Sequence, residues 1–174
     1  MLINLFLGLA FAATLGGVEF TETKTLTGKN LLLNGLGMRE ATIFKVDVYA
    51  AGLYLEKKNN NAQEILSNNE TKYLEMFFVR DVGLDKIVET YQTSLDQVFA
   101  DKELEARTAF LSKMKPMTKG KSMALMFTEK SVDVLFDGQS AGVIENPTFA
   151  RGLLEVWLGQ TPPNPGLKTG LLGI

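Results

Sequence analysis

The sequence predicts an α+β fold built around a large, mainly antiparallel sheet. Strand-like and helix-like segments come in runs, in the order β-β-β-α-α-β-β-β-α-α, and do not alternate as parallel sheets require. Several consecutive strand-like segments are joined by connections of hairpin length, which only antiparallel neighbours allow. With 174 residues and 45% hydrophobic composition, the chain is long and apolar enough for one domain with its own core.

The N-terminal half supplies the first strands. Apolar residues alternate at 18–20 and again at 31–33, on either side of a Thr-Gly-Lys-Asn turn, and this pattern predicts a hairpin. Gly35 and Gly37 are expected to form the turn that leads into a long strand over 41–56. After a polar connector with a short helical turn, the segment KYLEMFFVRDV reads as the next strand.

The long strand changes its apolar face along its length. Apolar residues occupy even positions at 44–48 and odd positions at 53–55. Because side chains alternate strictly between the two faces of a strand, such a change predicts a β-bulge or bend near 48–52. The small residues there would permit close approach of a helix or a ligand.

The C-terminal half is predicted to contain two helices, then three strands, then two further helices. Helical periodicity predicts two amphipathic helices, at 84–99 and 102–114. Asn146 is placed to cap a further helix, with Pro147 in its first turn and Trp157 on its core-facing side. A short helix closes the chain. Three strands precede these last helices, at 121–129, 131–137 and 140–145.

Composition excludes several classes of function. The chain has no histidine and no cysteine, so an imidazole base, a catalytic thiol, a disulfide and a thiolate metal site are all ruled out. No acidic cluster has calcium-loop spacing, and no phosphate-binding or dinucleotide motif occurs, so neither a metal nor a cofactor is predicted. The net charge is −2 without a basic block, which argues against nucleic-acid binding.

The N-terminal segment 1–17 resembles a signal peptide. It is apolar over the length of a signal-peptide core and contains an Ala10-Phe11-Ala12 cleavage pattern, although no lysine or arginine precedes it. The alternative is a buried first helix or strand, and the run is short for a membrane span. We therefore expect an exported, periplasmic protein whose folded domain covers 18–174.

Two polar side chains on the predicted long strand and its approach are candidate ligand-binding groups. The guanidinium of Arg39 can hold a carboxylate through two parallel hydrogen bonds, and the phenol of Tyr49 can add a third donor. Phe77 and Tyr91 belong to a set of aromatic and methionine side chains that suits an adaptable apolar pocket. The alternatives are a surface arginine, a core tyrosine and ordinary core aromatics.

Three segments together resemble the chalcone isomerase-like family, in particular its short exported bacterial branch. They are LLLNGLGMREATIFKVDVYAAGLYLEKK, VRDVGLDKIVETYQTSL and ENPTFARGLLEVWLGQTPPNPGLKTGLLG. The resemblance covers 18–173 and implies an open-faced β-sandwich, in which a large antiparallel sheet is layered with helices around a ligand cleft. It also implies that Arg39 lies in the cleft, as the arginine that holds a substrate anion in chalcone isomerases and a carboxylate in the plastid fatty-acid-binding relatives.

Three hypotheses about function follow from the resemblance. The first is non-catalytic binding of a small apolar acid, with Arg39 and Tyr49 on the carboxylate and Phe77, Tyr91 and Phe127 along the tail. The second is an intramolecular lyase of chalcone isomerase type, although the helical region offers no tyrosine at the place where true isomerases have one. The third is an interaction protein whose cleft is filled by its own side chains. Oligomeric state is left open.

Overall fold

The fold is described from a computed structural model, which describes residues 12–42 and 44–174. Within these ranges, a small hairpin precedes one antiparallel sheet of seven strands, each paired with the next in sequence. This confirms the predicted α+β class with a large antiparallel sheet. The hairpin strands are β1 (Ala12–Leu15) and β2 (Val18–Thr21); the sheet strands are β3 (Thr23–Leu26), β4 (Lys29–Ala41), β5 (Val46–Leu55), β6 (Lys72–Phe78), β7 (Ser122–Phe127), β8 (Val132–Phe136) and β9 (Gln139–Ile144).

The helices cover one face of the sheet and enclose the main core with it. The pair α2 and α3 falls between β6 and β7, where two helices were predicted, and α2 has the predicted bounds. The helix predicted to follow Asn146 and to carry Trp157 is divided at Leu154 into α4 and α5. The bounds are α1 (Ala62–Ser67), α2 (Leu84–Phe99), α3 (Leu104–Leu111), α4 (Pro147–Leu153), α5 (Glu155–Leu158) and α6 (Pro165–Leu172).

A second, smaller core lies on the other face of the sheet. Phe20 of β2 is buried there beside Leu33, Tyr54 and Tyr73. The hairpin of β1 and β2 thus shields part of the face that the helices leave open. Residues 12–15, which the sequence assigned to the signal peptide, form β1 of this hairpin. The rest of that segment's apolar run, 1–11, lies outside the described residues, and the signal peptide stays a prediction.

Gly35 and Gly37 do not form the predicted turn. Both lie inside β4. The separate turn predicted for the early hairpin is confirmed, since β3 and β4 are joined at Thr27 and Gly28. A Cβ atom added to Gly35 would lie 2.2 Å from the carbonyl oxygen of Gly170 in α6, and one added to Gly37 would lie 2.4 Å from the corresponding oxygen of Leu167. These glycines therefore allow the backbones of β4 and α6 to approach closely. Because β4 continues to Ala41, the predicted long strand, which is β5, begins at Val46 and not at residue 41.

The predicted bulge occurs at the start of the small-residue stretch. Arg39 of β4 is opposite Tyr49 of β5, and Glu40 is opposite Asp47, so Val48 is the extra residue. Val48 and Tyr49 consequently both pack toward the helix-covered core. A two-against-one arrangement of this kind bends the strand, and here it explains the change of apolar face that the sequence displays.

Replacing Asn146 with alanine is expected to lower the free energy of unfolding by about 1 kcal/mol. The side-chain oxygen of Asn146 accepts a hydrogen bond from the backbone N–H of Phe149 at 2.8 Å, as a helix cap does, and its amide donates to Glu103 at 2.6 Å. Urea denaturation monitored by circular dichroism would measure the loss. Asn69→Ala is the matched control, since Asn69 bonds only an exposed Glu129. Equal denaturation midpoints for the two variants would contradict the assigned cap.

Candidate functional site

A cavity of about 340 Å³ lies between the helix-covered face of the sheet and helix α2. Its volume falls in the range of about 300–1,000 Å³ that is typical of small-molecule sites. The strands contribute the floor, α2 one wall, and α5 with Pro163 the other wall. The inner part is lined mostly by apolar and aromatic side chains: Val48, Tyr49, Phe78, Ile87, Tyr91 and Trp157.

Arg39 and Tyr49 are cross-strand partners at the edge of this cavity. They are directly opposite each other in the register of β4 and β5, and both line the cavity. Side chains of opposed residues leave the sheet on the same face, about 5 Å apart at Cβ. The guanidinium of Arg39 donates to the backbone carbonyl of Glu40. In the described part of the chain, no carboxylate lies within ion-pair distance of Arg39.

Tyr49 is held in place by the indole of Trp157. The Nε1–H group of Trp157 donates to the phenolic oxygen of Tyr49 at 3.0 Å, deep in the core. Burial raises the pKa of Tyr49 to about 12, although the bond from Trp157 and the charge of Arg39 lower it. Since the phenol accepts from the indole and stays protonated near neutral pH, its own O–H group remains a donor.

Tyr91 closes the inner end of the cavity. Its ring makes edge-on contacts with Phe110 and Trp157, at centroid distances of 5.2 and 6.2 Å. Its hydroxyl approaches the sulfur of Met123 at 3.5 Å and that of Met76 at 3.9 Å, both weak acceptors. Burial raises the pKa of Tyr91 well above its ordinary value, and the nearby Tyr49 adds to this shift. The inner end is therefore uncharged.

The rim of the cavity carries an excess of positive charge. Arg39, Arg80 and Lys86 line it together with one carboxylate, Asp81. Lys86 is also paired with the exposed Glu89 at 2.9 Å, so the formal surplus is one positive charge. A second, more polar cavity of about 360 Å³ adjoins the first and shares Arg39 and Lys86 with it. Arg39 thus lies at the boundary between an apolar and a polar space.

Phe77 and Phe127 are not part of this cavity, contrary to the sequence-based hypothesis. Phe77 points to the opposite face of the sheet, where its ring packs edge-on against Phe20 at 5.4 Å. Phe127 is a core residue opposite Lys72. It is therefore at the far end of β6 from Phe78, about 20 Å away at about 3.3 Å per residue. The register of β6 excludes both side chains from the site.

The structure adds residues that sequence reasoning did not select. Trp157 was predicted as ordinary core; it is buried, yet it also lines the cavity and orients Tyr49. Arg80 and Lys86 reach the rim because the end of β6 and the start of α2 meet there. An indole on a helix face gives no local sign of its hydrogen-bond partner, which is here 108 residues away in sequence.

The cavity combines apolar walls with a cationic edge. Within residues 12–42 and 44–174, no group of three or more acidic side chains is arranged to hold a metal ion. No helix in the same ranges combines the length and apolarity needed to cross a membrane. An apolar cavity with a guanidinium at its edge can take an apolar body and a charged head at the same time.

Comparison with known proteins identifies the fold and the family. The crystal structure of an Arabidopsis thaliana fatty-acid binding protein, AtFAP1, superimposes with a TM-score of 0.69, at 18% sequence identity, over 93% of this chain and 96% of that chain. No curated protein sequence matches the chain. The sequence model of the chalcone isomerase-like family matches residues 12–173. The chain therefore belongs to the chalcone isomerase-like family.

Proposed function

We propose that the protein binds a small apolar carboxylic acid, similar to a fatty acid, without transforming it. The carboxylate would lie on Arg39 and the hydroxyl of Tyr49, and the hydrocarbon tail would extend toward Tyr91 and Trp157. The observation that carries the proposal is the position of Arg39, a half-buried cation without a carboxylate partner in the described chain, at the edge of an apolar cavity.

The energetics favour an acid over a neutral lipid. Removing a carboxylate from water is costly unless a charged donor replaces its hydration, and a guanidinium does so with two directed hydrogen bonds. The surplus of positive charge at the rim would attract anions from solution. The AtFAP1 protein, which has the same fold, is a fatty-acid binding protein, and this supports the same ligand class here. If the predicted signal peptide directs export, binding would take place in the periplasm.

Replacing Arg39 with alanine is expected to weaken binding of a fatty acid about 10- to 100-fold. This factor corresponds to the loss of a charge-assisted hydrogen bond of about 1.5–3 kcal/mol. Affinity for the fatty alcohol of the same length should change little, because the alcohol has no charge for the arginine to compensate. Quenching or enhancement of the fluorescence of Trp157, the single tryptophan of the chain, would report both affinities.

Mass spectrometry of lipids extracted from the natively purified protein tests the same proposal without a chosen ligand. Fatty acid should co-purify with the wild type and be lost from Arg39→Ala. Arg151→Ala is the matched control, since it removes the same charge from an exposed site in α4 that does not line the cavity. Absence of any co-purified acid, together with turnover of a chalcone, would overturn the proposal in favour of an isomerase.

A further inference from the structure

We propose that Asn164 is a positioning residue for Arg39. Its side-chain amide fixes the edge of β4 on both sides of Arg39 and thereby aims the guanidinium at the cavity. The inference rests on the proposed function, since it assigns a role to Asn164 in holding the carboxylate anchor.

The amide of Asn164 spans the backbone around Arg39. Its nitrogen donates to the carbonyl of Met38 at 3.0 Å, and its oxygen accepts from the N–H of Glu40 at 3.1 Å. The pairing of β3 with β4 ends at Leu32, so this later part of β4 has no neighbouring strand on that side. A carboxamide carries both a donor and an acceptor, and here it replaces the missing strand.

The effect of Asn164 reaches the guanidinium through the backbone of one residue, Glu40. The N–H of Glu40 is bonded to Asn164, and the carbonyl of Glu40, which belongs to the next peptide group, accepts from the guanidinium of Arg39. The ladder to β5 is interrupted between Arg39 and Glu40 by the bulge, so the backbone of Glu40 lacks regular support from that side. The orientation of the Glu40 backbone therefore depends on Asn164, and the guanidinium follows that backbone. A binding group that is misplaced by about 1 Å loses much of its effect.

The segment that carries Asn164 is itself restrained. Pro163 precedes it and lines the cavity wall, while Pro165 follows it as the first residue of α6. Proline fixes its own backbone and restricts the residue before it to extended conformations, which is the conformation of Asn164. The Lys168 amine donates to the carbonyl of Gly159 at 2.7 Å, and this bond links the two ends of the segment that contains Asn164. Asn164 thus approaches β4 from a preorganised loop.

Asn34, which lies in β4 together with Arg39, provides a matched control for Asn164. Its amide donates to the carbonyl of Leu171 in α6 at 2.9 Å and accepts from the N–H of Asn59 at 2.8 Å. It is also a half-buried asparagine that makes two hydrogen bonds and ties β4 to the C-terminal segment. Asn34 does not line the cavity that Arg39 lines. Loss of either amide should affect stability, but only loss of Asn164 should affect the anchor.

The test compares dodecanoic acid with dodecanol, using Trp157 fluorescence to measure each dissociation constant. We expect Asn164→Ala to reduce the preference for the acid at least about fivefold, the effect of one lost hydrogen bond, and to leave affinity for the alcohol nearly unchanged. Asn34→Ala should retain the wild-type preference. In an Arg39→Ala background, Asn164→Ala should have no further effect on acid binding, since the two residues act as one unit.

Equal weakening of acid and alcohol by Asn164→Ala would show that Asn164 only shapes the cavity wall, and it would overturn the inference. Failure of the proposed function has a different signature: the wild type would bind neither compound, or would not prefer the acid. The positioning role of Asn164 would then be tested by NMR. Asn164→Ala, unlike Asn34→Ala, should accelerate hydrogen exchange at Glu40 and shift the Nε–H resonance of Arg39; unchanged signals would overturn the positioning role.

Discussion

Replacing Gly170 with alanine is expected to lower the free energy of unfolding by about 3 kcal/mol. A Cβ atom at this position would lie 2.2 Å from the carbonyl oxygen of Leu36 and 2.8 Å from the Cα atom of Gly37. Both are backbone atoms of β4, so no side-chain rotation can relieve the overlap. Helix α6 would have to move away from the sheet, which would expose apolar surface around the buried Leu167 and Leu171.

Gly166→Ala is the matched control within the same helix. An added Cβ atom there would meet only the side-chain nitrogen of Asn164, at an ordinary contact distance of 3.8 Å. Because alanine favours helix more than glycine does, this variant should be as stable as the wild type or slightly more stable. Urea denaturation of the two variants would measure the contrast. Similar midpoints would contradict the close backbone contact between α6 and β4.

The close contact between α6 and β4 also explains why the turn predicted at Gly35 and Gly37 was wrong. The motif that contains Gly35 and Gly37 and the tail that contains Gly170 were two of the features that carried the family resemblance, and they are two sides of one interface. A glycine inside a strand marks a bend, a bulge or a close backbone approach, and local pattern does not distinguish among these. The partner that decides the matter lies more than 130 residues away in the sequence.

The proximity of Arg39 and Tyr49 at the cavity was predictable because a single strand pair determines it. Arg39 and Tyr49 belong to consecutive strands, and the change of apolar face indicated the bulge beside them. The face of Phe77 could not be predicted, because it lies in a run of apolar residues that is covered on both sides of the sheet. Such a strand shows no alternation from which to infer orientation. Phe127 was misplaced because its distance from the cavity depends on the register of β7.

Stability is expected to fall steeply above about pH 10, because all four tyrosines of the chain are buried. Burial raises the pKa of Tyr49 and of Tyr54 to about 12, and it raises the pKa values of Tyr73 and Tyr91 as well. An unfolded tyrosine ionises near pH 10. Above that pH the folded state therefore binds more protons than the unfolded state, and the free energy of unfolding decreases as pH rises.

At lower pH, Lys72 changes the free energy of unfolding in the opposite direction. Burial lowers its pKa to about 8, so below that pH the folded state carries the cost of a buried ammonium. This cost is relieved as pH rises from about 8 to about 10.4, where the unfolded lysine also loses its proton. The contribution of Lys72 to the free energy of unfolding therefore increases over this window. Below about pH 10, this contribution opposes in sign the loss that the tyrosines cause at higher pH.

The size of the alkaline effect follows from proton counting. Each tyrosine contributes up to about 1.4 kcal/mol per pH unit, so four contribute up to about 5 kcal/mol per unit above pH 10. Phenolate absorbance should then rise in one cooperative step that coincides with loss of the circular dichroism signal. Tyr73→Phe, which removes one ionisable ring but keeps its packing, should reduce the slope by about a quarter. Gradual phenolate formation near pH 10 in a chain that keeps its native signal would show that the tyrosines ionise without unfolding.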